Sequence, residues 1–250
     1  MKEGLGQENL TVLVTGGARR IGASIVKALH RQGYNMALHC HHSVEEAQLL
    51  ADELNGQRQA SCKVFVADLA DSIAIDKMVE EVTLWQGGLY GLINNASVFF
   101  PTIVGELDDE AWERLFTINV KACWRLSEKF YPWLANNQGS IVNITDIHGE
   151  KPLRAYSVYC MSKAALVMQT KALAIEYAPK VRVNGIAPGA IAWPEGENTL
   201  SEVQQQAIIA KTPLKKHGHP DYIAQAVLSL LSNPFITGQF LAVDGGRSLS

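Results

Sequence analysis

The chain has 250 residues, 47% of them hydrophobic and 19% charged, with a formal net charge of −3. This is enough apolar material for one sizeable core, so a single domain over residues 1–250 is expected. The charge balance gives no electrostatic reason to expect nucleic acid or an acidic membrane surface as a partner, and no run of about 18 apolar residues suggests a membrane span. The four cysteines, Cys40, Cys62, Cys123 and Cys160, lack CxxC or zinc spacing. That pattern fits a reducing cytoplasm rather than a secreted disulfide framework. Met1–Asn9 is polar, with no apolar segment of signal-peptide type.

Along the chain, short β-rich runs alternate with helix-patterned segments. The runs are Thr11–Thr15, Asn35–His39, Lys63–Ala67, Gly91–Asn94, Ser140–Thr145, Arg182–Ala187 and Gln239–Val243. Helices are expected near Ile21–Gln32, Val44–Leu54, Ser72–Trp85, Asp109–Asn136 and Ala155–Tyr177. Repeated strand–helix–strand units mean parallel strands joined by right-handed crossovers. The expected fold is α/β: a doubly wound parallel sheet (Rossmann fold) of about seven strands, with helices on both faces. The irregular stretch 188–220, rich in Pro and Gly and holding a short helix over Ser201–Lys211, follows a strand. An insertion at that end of an open sheet is read as a substrate lid.

Between the first strand and first helix lies Thr15-Gly16-Gly17-Ala18-Arg19-Arg20-Ile21-Gly22. Such a turn lets the backbone approach a pyrophosphate, which then faces the positive end of the helix. A dinucleotide fingerprint would place Gly where Arg20 stands. The second strand ends in His39-Cys40-His41-His42-Ser43, with no acid before Glu45. An acid there accepts from the ribose 2′-OH in NAD-binding proteins and would repel a 2′-phosphate. Its absence, with Arg20, His42 and Ser43 as possible donors, predicts NADPH as cofactor. Asp68 follows the third strand and suits either the adenine amino group or a helix N-cap. Asn94-Asn95-Ala96-Ser97 ends the fourth strand, placed to line the cofactor ribose or cap the strand.

Tyr159 and Lys163 are four residues apart on a helical pattern and so share a face. A phenol of pKa about 10 is a poor proton donor and acceptor at neutral pH. The sequence suggests that the ammonium lowers it, so that the pair relays a proton while hydride moves.

Over essentially its whole length the chain resembles the short-chain dehydrogenases/reductases. The resemblance rests on TGGARRIG (15–22), Asp68, NNAS (94–97), Asn119 in TINV, YCMSK (159–163) and NGIAPGAI (184–191). It implies that Tyr159 donates the proton and Lys163 tunes it and binds the nicotinamide ribose, while Asn119 holds a water of the relay. It also implies a cofactor groove of Gly16, Ile21, His41, Leu69, Asn95, Ala96, Ser97, Pro188, Gly189 and Ile191, beside the residues named above. The family carries a Ser upstream of the Tyr to polarise a carbonyl, and here Asp146 stands at that position. A carboxyl suits protonation of a ring nitrogen better than stabilisation of an alkoxide. Thr145 is the alternative if the register shifts by one.

Asp146, Arg20, the end of the second strand (39–43) and NNASVFFP (94–101) resemble the pteridine reductase branch. That branch implies a pterin held by Ser97, Phe99, Asp146 and Tyr159, with the Phe ring and the nicotinamide sandwiching it. His42 departs from it by standing where the branch tends to have Arg. The expected activity is NADPH-dependent reduction of a dihydropterin or dihydrofolate, extending to oxidised pterins. The alternatives are an NADPH-dependent carbonyl reductase acting on a 3-oxoacyl thioester, ketone or sugar, and a non-enzymatic NADP(H)-binding sensor. No metal ligand set is expected. The resemblance implies a homotetramer built through 109–136, 155–177 and the C-terminal segment.

Overall fold

The computed structural model describes residues 10–106, 108–193 and 199–250. Seven strands form one sheet in the order β3-β2-β1-β4-β5-β6-β7, every pair parallel. They are β1 (Thr11–Val14), β2 (Asn35–Cys40), β3 (Cys62–Val66), β4 (Gly91–Asn94), β5 (Ser140–Ile144), β6 (Arg182–Pro188) and β7 (Phe240–Val243). β1, β2, β4 and β5 are buried along their whole length. That is why they read as unbroken apolar runs rather than alternating ones: helices cover both faces.

The helices are α1 (Arg20–Arg31), α2 (Val44–Gln57), α3 (Ser72–Leu84), α4 (Asp109–Phe116), α5 (Ala122–Asn136), α6 (Ser157–Glu176), α7 (Glu202–Lys211) and α8 (Pro220–Ser232). α1, α2 and α8 bury Ile25, Leu29, Leu50, Leu54, Val227 and Leu231 on one face of the sheet. α3, α5 and α6 bury Ile75, Met78, Leu126, Phe130 and Leu173 on the other. The strand order reverses between β1 and β4. In open parallel sheets the crevice at such a point, beyond the carboxyl ends of the strands, is where ligands bind.

Three local features differ from the sequence pattern. The segment expected as one helix over 109–136 is interrupted by a π-helical turn, Thr117–Lys121. One extra residue per turn escapes a periodicity reading, and such turns occur mostly at functional sites. α3 is capped by Asp71, which accepts from Ile73 N–H, and not by Asp68. α8 has no counterpart among the expected helices. Its signal was present: His219 caps it, Pro220 sits in its first turn, and Ile223, Ala224, Val227, Leu230 and Leu231 make a buried stripe at helical spacing.

Candidate active site

The glycine turn is held from three sides. Gly16 has φ +60°, in the left-handed region. A side chain on Gly22 would overlap the Gly16 carbonyl, so α1 packs against the turn only because position 22 is glycine. Asn95 Nδ2 donates to the carbonyls of Thr15 (2.8 Å) and Gly16 (3.0 Å), and Thr15 Oγ1 accepts from Asn95 N and Ala96 N. The side chain of Asn95 thus ties the ends of β1 and β4 together.

His39 supplies the third restraint. Its buried Nδ1 accepts from Gly16 N–H at 3.2 Å, while Nε2 lies 3.1 Å from the Ala67 carbonyl. Each partner fixes a role, so the neutral Nε2–H tautomer is selected. Burial pulls its pKa down to about 4.

Arg20 keeps the left-handed backbone that the fingerprint glycine would take, with φ +53°. Its guanidinium reaches across the cleft, where Nη2 donates to the carbonyls of Ala192 (3.0 Å) and Trp193 (2.8 Å). It therefore ties the glycine turn to the start of the expected lid. Residues 194–198 of that lid lie outside the described residues. Trp193 stacks on His217 with centroids 4.1 Å apart.

Beyond the end of β2, His41 and His42 stack at 3.6 Å, and His41 Nδ1 is 4.0 Å from Asp68 Oδ1. Asp68 also accepts from Ala70 N–H. Ser43 stands at the N-cap position of α2 but makes no side-chain capping bond. Leu69 is buried in the core, away from the cleft wall.

The cleft itself has a volume of about 720 Å³. It joins the glycine turn, Asn95–Ser97, Phe99, Asp146, Tyr159, Lys163, Pro188, Gly189 and Ile191. The sequence-predicted residues outside its lining are His41, His42, Ser43, Asp68, Leu69 and Asn119. Asn119 is buried behind it. Its side chain accepts from Val98 N (2.9 Å) and donates to Val98 O and Ser162 Oγ (both 3.1 Å), so it clamps the strand-end loop that carries Ser97 and Phe99. Phe99 stacks on Tyr156 at 4.4 Å and meets Tyr159 edge-on at 4.8 Å.

Asp146 lies beside Tyr159 in the cleft lining. Tyr159 O–H donates to Asp146 Oδ2 at 2.7 Å, and Asp146 Oδ1 accepts from His148 N–H at 2.9 Å. Thr145 does not take its place: its buried hydroxyl donates to Ile186 O at 2.8 Å, into the sheet.

This geometry corrects the expectation that Lys163 lowers the pKa of Tyr159. The phenol is pushed well above its usual value, first by burial and then by the charge and hydrogen bond of Asp146. The Lys163 ammonium instead donates to Ile144 O at 3.2 Å and lies 5.7 Å from the phenol ring centre. Burial lowers its pKa, and the Asp146 charge opposes that fall. Tyr159 O–H is thus hydrogen-bonded to Asp146 beside the buried Lys163.

A doubly wound sheet with a glycine turn at its switch point, opening onto a buried Tyr–Lys–carboxylate group, defines a dinucleotide-dependent oxidoreductase. A family model described as enoyl-(acyl carrier protein) reductase matches residues 16–248, and the chain belongs to this family of short-chain dehydrogenases/reductases. It is 32% identical to 2-(S)-hydroxypropyl-CoM dehydrogenase 3 of Xanthobacter autotrophicus, over 96% of this chain and 97% of that one. It is 31% identical to a 3-oxoacyl-[acyl-carrier-protein] reductase of Staphylococcus epidermidis, over 95% and 98%. Among solved structures, FolM alternative dihydrofolate reductase 1 of Brucella canis, complexed with NADP, superposes with a TM-score of 0.88. It shares 35% identity, covering 97% of this chain and 95% of that one.

Proposed function

We propose that this chain reduces the C=N bond of a dihydropterin or dihydrofolate to the tetrahydro form, using NADPH, and also accepts oxidised pterins. The observation that carries the reading is the Asp146 carboxyl group, hydrogen-bonded to Tyr159 where a carbonyl-reducing site needs a neutral donor. A fixed carboxylate there would repel an alkoxide in formation, whereas a ring nitrogen gaining hydrogen is served by a carboxyl that passes on a proton. The FolM likeness agrees with this.

The cofactor supplies the hydride, which goes to the ring carbon. The protein supplies the proton: Tyr159 gives its hydrogen along the 2.7 Å bond to Asp146, which hands one to the adjacent ring nitrogen. Lys163, fixed on Ile144 O, would hold the nicotinamide ribose. Phe99, Tyr156 and Ser97 form the wall against which the flat ring lies.

For the cofactor, the close approach at Gly16 and Gly22 and the N-terminus of α1 fit a pyrophosphate. No carboxylate stands at the end of β2 before Glu45, which suits a 2′-phosphate beside His42 and Ser43. Asp68 and His41 flank the adenine, and Leu69 contributes through its main chain. The segment 188–220 acts as the lid, with Leu200 and Ile208 already on the cleft wall.

The four free cysteines suit a reducing cytoplasm. Trp112 on α4, Trp124 on α5 and Met168 and Ile175 on α6 expose apolar surface that assembly into a homotetramer would cover.

The test is NADPH oxidation with dihydrobiopterin and dihydrofolate against a panel of 3-oxoacyl thioesters and ketones. Turnover confined to the carbonyl panel would reject the pterin reading. It would favour the second one, a carbonyl reductase, which the Staphylococcus epidermidis relative supports.

A further inference from the structure

A short 3-10 turn, Arg247–Leu249, follows β7 and brings Arg247 into the lining of the cleft that also holds Asp146 and Tyr159. Nη1 of its guanidinium is shut off from solvent and has no hydrogen-bond partner. A buried charged donor is costly to leave unmade, and arginine cannot escape by losing its proton.

The two carboxylates whose charge Arg247 feels are Asp146 and Asp244, and both oppose the fall that burial alone would cause. Neither satisfies Nη1. Asp244 spends its oxygens on Gly246 N–H (2.9 Å) and Ser248 N–H (2.6 Å). Asp146 spends its own on Tyr159 and His148. The backbone under Arg247 is tied down as well. Arg247 N–H donates to Asp244 O at 3.2 Å, and Lys151 Nζ donates to Arg247 O at 2.9 Å and to Ser250 O. A fixed turn thus holds a guanidinium in the lining of the cleft, and carboxylate is the group that such a fork matches best.

We propose that Arg247 binds a carboxylate of the substrate, so that the cleft selects dihydropterins carrying an acidic tail, of the dihydrofolate type, over neutral ones. This rests on the pterin reading above and names the substrate class within it. The reacting ring would lie by Phe99 and Asp146 and the tail would reach Arg247, all residues of the same cleft.

Two measurements test it. In steady-state kinetics, Arg247→Met raises the KM for dihydrofolate about tenfold or more, the worth of a hydrogen bond to a charged group. Arg247→Lys recovers part of the loss, and the KM for dihydrobiopterin, which lacks the acidic tail, changes far less than that for dihydrofolate. In calorimetry on the NADPH-loaded protein, p-aminobenzoylglutamate, a tail without the reacting ring, binds wild type. It binds Arg247→Met far more weakly, and its diethyl ester binds wild type as weakly as the acid binds the variant.

Equal KM changes for both substrates, an unchanged KM for dihydrofolate, or indifference of wild type between acid and ester would each overturn the proposal. Should wild type reduce neither pterin, the proposed function falls, while the acid–ester comparison still decides whether Arg247 reads a carboxylate.

Discussion

Replacing Asp146 by Asn changes little in volume and much in chemistry. The carboxylate accepts two hydrogen bonds, from Tyr159 O–H at 2.7 Å and from His148 N–H at 2.9 Å. An amide has one oxygen for these two donors. If that oxygen keeps His148, the amide nitrogen faces Tyr159 and the phenol must turn from donor to acceptor. Exchanging a charge-assisted bond for a neutral one costs about 1–2 kcal/mol of stability. The proton route is lost outright, so kcat for a dihydropterin falls by about 10²–10⁴, or about 3–5 kcal/mol of barrier.

The same change removes two of the causes that hold the Tyr159 pKa high, the charge and the hydrogen bond of Asp146, and leaves burial. The phenol then titrates at lower pH. A Tyr that works as a proton donor loses activity as pH rises through its pKa, so the alkaline limb of the pH–rate profile moves to lower pH in Asp146→Asn. With ketone substrates the sign reverses: an amide, or the hydroxyl of Asp146→Ser, is a neutral donor to an alkoxide, and carbonyl turnover rises roughly tenfold or more. NADPH oxidation measured across pH with both substrate types reads all of this. Wild-type pterin turnover in the Asn variant, or an alkaline limb that does not move, would refute the reasoning.

Tyr159→Phe lowers kcat by about 10²–10⁴ with NADPH binding retained, as measured by cofactor fluorescence beside turnover. Gly22→Ala drives a methyl group into the Gly16 carbonyl and weakens NADPH binding about tenfold or more in the same titration. His39 carries a folded-state pKa of about 4 against the ordinary 6.5, so its contribution of about 3 kcal/mol is fully present above pH 6.5 and is lost as pH falls toward 4. His39→Gln, which does not titrate, flattens that part of the stability–pH curve in urea unfolding. An unchanged slope would show that the imidazole is not the titrating group. Trp124→Glu places a charge on exposed apolar surface of α5 and, on the proposed homotetramer, shifts sedimentation to smaller species.

The alternation of apolar runs and helical segments was enough to read the sheet, because parallel strands buried on both faces announce themselves as continuous apolar runs. The glycine turn and the Tyr159–Lys163 pair were legible as local spacings. The Asp146–Tyr159 contact was legible only as a resemblance, and the coordinates turn it into a hydrogen bond. What escaped reading depends on contacts between distant segments. His39 ends the expected strand Asn35–His39, where nothing in the spacing tells which way its ring faces, yet the pleat of β2 turns it inward to Gly16 and Ala67. Arg20 looks like a phosphate donor, yet in the structure it holds carbonyls more than 170 residues away. Arg247 lies past the last strand, where no pattern marks it as part of the cleft. The direction of the Tyr159 shift was misread for the same reason: helical spacing shows the lysine nearby but not the carboxylate, which comes from another element and stands nearer the phenol oxygen.

The most direct test is the crystal structure of the protein with NADPH and a dihydropterin bound. The account predicts the ring sandwiched between the nicotinamide and Phe99, with its nitrogen about 3 Å from a carboxyl oxygen of Asp146. A ring displaced from that stack, with Asp146 turned away and Tyr159 alone facing the bound molecule, would contradict it.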